Sequence, residues 1–176
     1  MDVENTDHII RKISCHNSQV LQLTHILSGR PDIITHLSMA SDKTSWTANA
    51  YIFFNFPSTM LEANLGVLFE YLQDTNAPGL DMIRAVLLTK IPRSALVRGI
   101  RDAIIAANEA MDFEWTSNLC SLILRGGIRQ KEFDESSGIV VRDIIKFNIA
   151  SPDGVPWNQA YSELFGLSAF ETMGCV

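Results

Sequence analysis

From Thr47 to Phe56 the side chains alternate: Ala48, Ala50, Ile52, Phe54 and Phe56 fall on one face, and Thr47, Asn49, Tyr51, Phe53 and Asn55 on the other. That is the period-two pattern of a strand with one buried face. Pro57 lacks the N–H that a ladder needs and closes the strand. Thr59 and Glu62 then stand three residues apart, the spacing at which a hydroxyl and a carboxylate satisfy the free N–H groups of a helix start. Leu61, Leu65, Leu68, Phe69 and Leu72 recur at helical spacing until Asn76-Ala77-Pro78-Gly79, which predicts one helix of about three or four turns. From Met82 to Ile91 the chain is nearly all apolar, interrupted by Arg84, Thr89 and Lys90 and ended by Pro92, as a well-buried strand would be. Strand, helix and strand in this order predict a helix packed across a sheet.

After Pro92, Ser94 offers a cap, and Leu96, Ile100, Ala103, Ile104, Ala107 and Met111 trace the stripe of a second long helix in an Ala-rich run. Arg98 and Arg101 near its start and Glu109 and Asp112 near its end oppose the helix dipole, each at a cost of a few tenths to about 1 kcal/mol. Leu119 to Leu124 reads as a short strand, and Gly126-Gly127 as a turn or bulge. Ile128–Phe133 and Ile139–Ile149 flank Asp134-Glu135-Ser136-Ser137-Gly138 as the arms of a hairpin. Asp143 intrudes on the apolar face of the second arm, either paired with a nearby arginine or at an edge. Pro152-Asp153-Gly154 forms a turn, and Trp157 to Phe165 a short terminal helix burying Trp157, Tyr161, Leu164 and Phe165. Residues 1–45 read as a helical segment, mobile or bound to a partner, set apart by the polar stretch Ser38 to Ser45. The fold class expected is α+β: a single domain over residues 46–176, with a mostly antiparallel sheet packed against two main helices.

Length and composition fit one domain with a real core. The chain has 176 residues, 47% apolar and 19% charged, which argues against wholesale disorder. No run approaches the roughly 18 apolar residues of a membrane span, and Met1-Asp2-Val3-Glu4 lacks the regions of a signal peptide. A cytosolic protein is expected. The net charge of −6 is unevenly spread: residues 1–81 hold 4 basic and 9 acidic side chains, residues 82–146 hold 10 and 8, and residues 147–176 hold 0 and 3. Arg84, Lys90, Arg93, Arg98 and Arg101 form the densest basic group, followed by Arg125, Arg129, Lys131, Arg142 and Lys146. Gathered on one face, the first five would attract phosphates or anionic head groups within a Debye length of roughly 8–10 Å. Scattered, they would only solvate the surface.

Catalytic chemistry has little footing. His8, His16, His25 and His36 lie 8, 9 and 11 positions apart, matching no zinc signature, so they read as surface or interface side chains, with no metal expected. Cys15, Cys120 and Cys175 are odd in number and without C-x-x-C spacing, which suggests free thiols. Cys15 and His16 are neighbours whose side chains point apart, and Cys120 sits in an apolar run. Glu109, Asp112 and Glu114 could pair carboxylates, but a solvated helix end explains them. Gly126-Gly127 lacks the longer phosphate-loop patterns, and no G-x-S-x-G is present. Trp46, Tyr51, Phe53 and Phe54 could stack bases, yet no basic residue lies between Lys43 and Arg84, and core or interface packing is the better account. No enzyme, catalytic residue or cofactor is expected.

The order of strand Tyr51-Ile52-Phe53-Phe54-Asn55-Phe56, amphipathic helix, strand Arg84-Ala85-Val86-Leu87-Leu88, and a hairpin ending in Ile144-Ile145-Lys146-Phe147-Asn148-Ile149 before a Trp-bearing helix resembles the matrix proteins of the rhabdoviruses. The length is similar to the plant-infecting members, and the likeness spans roughly residues 46–165. It implies a non-enzymatic viral structural protein of the virion and host cytoplasm, peripheral to the membrane. Such a protein self-associates as a homo-oligomer and bridges the nucleocapsid and the inner membrane surface. Arg84, Lys90, Arg93, Arg98 and Arg101 would then face nucleocapsid phosphate or lipid head groups. The rival readings are an RNA-binding suppressor of host defence, with nucleic acid as partner, and an enzyme of an unrecognised family.

Overall fold

The computed structural model describes residues 22, 25–27, 43–150 and 164–166. Among them there is no strand: the expected α+β fold is replaced by an all-helical one. The elements are α1 (Lys43–Asn55), α2 (Ser58–Glu62), α3 (Leu65–Glu70), a 3-10 turn (Tyr71–Gln73), α4 (Leu80–Lys90), α5 (Arg93–Glu109), α6 (Phe113–Gly126), a second 3-10 turn (Gln130–Glu132) and α7 (Glu135–Ala150). Two compact units divide the chain, one containing residues 22, 25–27, 43–71 and 76–92, the other residues 72–75, 93–150 and 164–166. Of the expected N-terminal segment before Lys43, only Gln22 and His25–Leu27 are described, and they are helical. Most of the expected Trp157–Phe165 helix lies outside the described residues, although Leu164 and Phe165 are helical.

In the first unit, the segment expected as a strand is α1. Its buried positions are Ala48, Asn49, Ala50, Ile52 and Phe53, with Phe56 just beyond its end. The run 49, 52, 53, 56 is a helical stripe that coexists with the alternation over so short a window. Ala48 and Ala50 favour helix over strand. Pro57 still ends the element. The single helix expected next is broken: α2 closes at Ala63, and α3 starts after Asn64, whose side-chain amide donates back to the Met60 carbonyl at 2.9 Å. Pro57 is the N-cap of α2, with no side-chain cap bond, so Thr59 and Glu62 make no capping box.

The second expected strand is α4, which buries Leu80, Ile83, Arg84, Val86 and Leu87. A continuous apolar run fits a buried helix as well as a buried strand. Gly79 starts α4 at φ +87°, and a Cβ there would stand 2.8 Å from the Ala50 Cβ, so α4 begins in close contact with α1. At its other end Lys90 donates to the carbonyls of Phe54 and, at 3.0 Å, Phe56, with its ammonium 5.4 Å from the Phe54 ring centre. A cation thereby satisfies carbonyls at the end of α1. Tyr71 packs on Trp46 and Phe53 at centroid distances of 5.5 and 5.6 Å and accepts a 3.1 Å bond from the Asn49 amide. Phe53 and Tyr71 are therefore core; of the aromatic cluster expected to pack, Phe53 is buried, Trp46 and Tyr51 are half-buried and Phe54 is exposed.

In the second unit α5 is the helix that the Ala-rich stripe predicts, burying Leu96, Ile100, Ala103, Ile104 and Ala107. Met111 departs from that stripe. It is 77% exposed at φ +54°, where Asp112 N–H bonds the Ala107 carbonyl at 2.9 Å and Met111 N–H the Asn108 carbonyl at 3.1 Å, the left-handed closure of a helix. Asp112 belongs to the next helix: its carboxylate accepts from Trp115 N–H at 2.9 Å as the N-cap of α6, which removes its apparent conflict with the α5 dipole.

The expected strand Leu119–Leu124 lies inside α6, which buries Thr116, Leu119, Cys120, Leu122 and Ile123. Gly127 ends it at φ +57°, in line with the turn that the Gly-Gly pair predicts. Asn118, buried in α6, donates to the Leu72 carbonyl at 2.8 Å, and Thr75 N–H donates to Glu114 at 2.5 Å. Residues 72–75 are thus tied to α6, and Glu114 serves as an acceptor in that tie, beyond the solvated role its spacing suggests.

The expected hairpin is a 3-10 turn followed by α7. Asp134, placed at the hairpin tip by the sequence pattern, instead accepts from Ser137 N–H at 2.9 Å and Ser136 hydroxyl at 2.8 Å, capping the start of α7. Gly138 permits the approach of the 3-10 turn, since a Cβ there would meet the Gln130 carbonyl oxygen at 3.0 Å. The inner side of α7 buries Val141, Ile144 and Ile145, and α7 packs against both α5 and α6. Asp143 is exposed and ion-paired with Arg142 at 3.0 Å, away from the buried side of α7.

Candidate functional site

The five cations expected to form a patch are distributed over both units and mostly engaged. Arg84, 9% exposed, donates to Asp81 at 3.1 Å. Lys90 is held by the carbonyls of Phe54 and Phe56, and its partial burial lowers the ammonium pKa. Arg93 makes two bonds to the Glu132 carboxylate, 2.6 and 2.8 Å, and donates to the carbonyls of Gly126 at 2.8 Å and Gly127 at 3.2 Å. Arg98 is exposed on α5. Arg101 binds Asp102 at 2.8 Å and approaches Asp134 at 3.5 Å. Arg84, Lys90 and Arg93 therefore act first as ties within the fold.

Two other features of the second unit have the character of a surface that meets something. The first is the outer side of α7. Ile139, Val140 and Phe147 are 43, 43 and 62% exposed, and Ile139, Asp143 and Phe147 follow at four-residue steps with Val140 beside them, which places all four on one stripe. The helix thus carries large apolar side chains on two sides: one faces α5 and α6, the other is open and interrupted by Asp143. An amphipathic surface helix would carry polar groups there. The alternating pattern of residues 139–149 assigns Ile139 and Phe147 to the same inner sheet face as Val141 and Ile145. A helical projection of the same sequence separates Ile139, Val140 and Phe147 from Val141, Ile144 and Ile145.

The second is a groove of about 840 Å³ between the 3-10 turn, the start of α7 and the Leu164–Gly166 segment. Phe133 and Phe165, with ring centres 6.2 Å apart, and Ile139 line its apolar side. Arg129, Lys131 and Arg142 bring positive charge to it, Asp134 and Glu135 negative charge. Among the described residues Arg129 and Lys131 enter no ion pair, whereas Arg142 is shared with Asp143. Asp134 is occupied by Ser137, Ser136 and Arg101, and the bonds from Ser137 foremost hold its carboxyl well below the usual carboxylate range. The groove cations belong to the second basic group in the sequence, which offers no sign that this group, rather than the denser one, keeps members unpaired.

Elsewhere, Cys120 is fully buried, and no three His, Cys, Asp or Glu side chains among the described residues form a metal-sized group. His8, His16, His36, Cys15 and Cys175 lie outside the described residues. None of the described helices is long and apolar enough to cross a membrane. Compared with protein-family models, curated proteins and solved structures, the chain matches none of them.

Proposed function

We propose that the protein is a non-enzymatic assembly module that associates with copies of itself through the outer side of α7. The observation that carries this reading is the exposed stripe of Ile139, Val140 and Phe147 on a helix whose opposite side is already buried. The stripe is self-complementary. About a centre near Asp143, an antiparallel copy sets Phe147 against Val140 and Ile139 of the second chain. The same register brings the two Asp143 side chains near each other at the centre, each already paired with Arg142 of its own chain at 3.0 Å, a further reason for the contact to be weak.

The contact is small. The 16 residues of α7 give about 24 Å of helix, and a swath about 10 Å wide covers roughly 250 Å² per partner, far below the roughly 800 Å² of a stable complex. Pairing should be weak, with a dissociation constant of roughly 10 μM to 1 mM, and suited to assemblies where many such contacts act together. Of the matrix-type role, self-association is the component this surface supports. The strands that carry the rhabdovirus resemblance are helices among the described residues.

Sedimentation velocity over a concentration series tests the proposal. The wild type is expected to shift toward dimer or higher species at high concentration, and Phe147→Ser to stay monomeric with unchanged helical circular dichroism. Equal association by both, or none by either, overturns it. Concentration-independent monomer combined with tight, steeply salt-dependent RNA binding would favour the nucleic-acid reading instead.

A further inference from the structure

We infer that the groove bounded by the Gln130–Glu132 turn and the start of α7 is a binding site for an anionic amphiphile, a phosphate or carboxylate head on an apolar body. Its composition is divided in the way such a ligand requires. Phe133, Phe165 and Ile139 supply apolar wall. Arg129 and Lys131 supply two positive charges that no acid among the described residues holds in an ion pair. Glu132, whose carboxylate feels Lys131, is committed to Arg93.

The acids in the wall do not cancel this. Asp134 already accepts from Ser137 N–H and the Ser136 hydroxyl and lies 3.5 Å from Arg101. Glu135 is left as the one opposing charge in the wall whose carboxylate is not committed to a cap. At about 840 Å³ the space is within the roughly 300–1,000 Å³ of small-molecule sites. A planar guanidinium at 129 and a long-stemmed ammonium at 131 suit an oxyanion head. An aliphatic body suits the one apolar side, where Ile139 lies beside Phe133 and Phe165. The site does not depend on α7 pairing: Ile139 touches both surfaces, but Phe147 lies outside the groove.

Isothermal titration with dodecyl phosphate below its micelle concentration tests the assignment on the full chain. Expected are saturable binding that weakens with salt, weaker or absent binding of inorganic phosphate, and no binding of dodecyltrimethylammonium. Dodecanoate is a parallel arm that separates a requirement for phosphate from one for any anionic head. Arg129→Gln/Lys131→Gln should lower the affinity about tenfold or more, while Phe147→Ser should leave it unchanged. Equal binding of the cationic amphiphile, equal binding of inorganic phosphate, or indifference to the double substitution overturns the inference. Loss of binding in Phe147→Ser also overturns it, because the amphiphile would then sit on the α7 stripe; that result would leave the self-association proposal standing.

Discussion

Arg93 holds the Glu132 carboxylate through two bonds, 2.6 and 2.8 Å, and with the same guanidinium closes the carbonyls of Gly126 and Gly127 at the end of α6. One side chain thus joins the start of α5, the end of α6 and the turn that leads into α7. Replacing Arg93 by Ala should cost about 1 kcal/mol, the upper end for a partly exposed pair, because it also uncovers helix-end carbonyls. Urea unfolding measures it. No loss would show that the clamp contributes nothing to the fold. Arg93→Glu, a natural way to probe a basic patch, would act by breaking this tie.

The same pair sets a pH dependence. The hydrogen bonds from Arg93, foremost, lower the Glu132 pKa, so Glu132 contributes stability above the ordinary glutamate range, and that stability is lost as pH falls through its lowered folded value. Glu132→Gln should flatten the acid side of the stability profile between neutrality and strongly acid pH. An unchanged profile would contradict the assigned partner.

Met111 and Gly127 end successive helices with the same backbone closure, but only Gly127 is the residue that closure favours. Met111→Gly should therefore stabilise the protein by up to about 1 kcal/mol, the ordinary cost of a side chain in the left-handed region. Since Met111 is 77% exposed, little packing is forfeited. A drop in melting temperature would mean that the side chain has a contact of greater worth.

Gly79 and Gly127 separate backbone strain from crowding. Both have positive φ, but a Cβ at Gly127 meets nothing within 4 Å, whereas one at Gly79 meets Ala50 at 2.8 Å. Gly127→Ala should cost about 1 kcal/mol and Gly79→Ala about 2 to 3 kcal/mol, as read from thermal or urea unfolding. Equal losses would contradict the close approach of α1 and α4.

Tyr71 provides a spectroscopic check on the first unit. Burial, partly offset by the bond from Asn49, pushes its hydroxyl up to about 12. Its contribution to stability is complete below the ordinary tyrosine range and is lost as pH rises through the folded value. Absorbance titration should show one tyrosine ionising near that value, and Tyr71→Phe should remove that step. Ordinary titration of Tyr71 would place it at the surface.

Some of this architecture is legible in the residues. The α5 stripe, the halt at Pro57 and the left-handed turn at Gly127 follow from local chemistry that has one solution. The strands fail for two physical reasons. In α1, positions 49, 52, 53 and 56 satisfy the helical period while the alternate residues satisfy the strand period, and ten residues do not separate them. In α4, a nearly continuous apolar run carries little period of either kind. The Asp134 cap is hidden because Asp-x-x-Ser is as good a turn tip as a helix start. As for the sites, the sequence locates charge but not its partners: Arg93 and Arg129 are equivalent in composition, and only the fold commits one to Glu132 and leaves the other facing a groove.

Hydrogen–deuterium exchange at rising protein concentration tests self-association at its stated place. Peptides spanning 139–147 should gain protection as the protein passes from low micromolar to near millimolar concentration, while peptides from α5 stay constant. Exchange in 139–147 that is the same at every concentration, in a sample that nevertheless associates, would place the interface elsewhere and contradict the role assigned to Ile139, Val140 and Phe147.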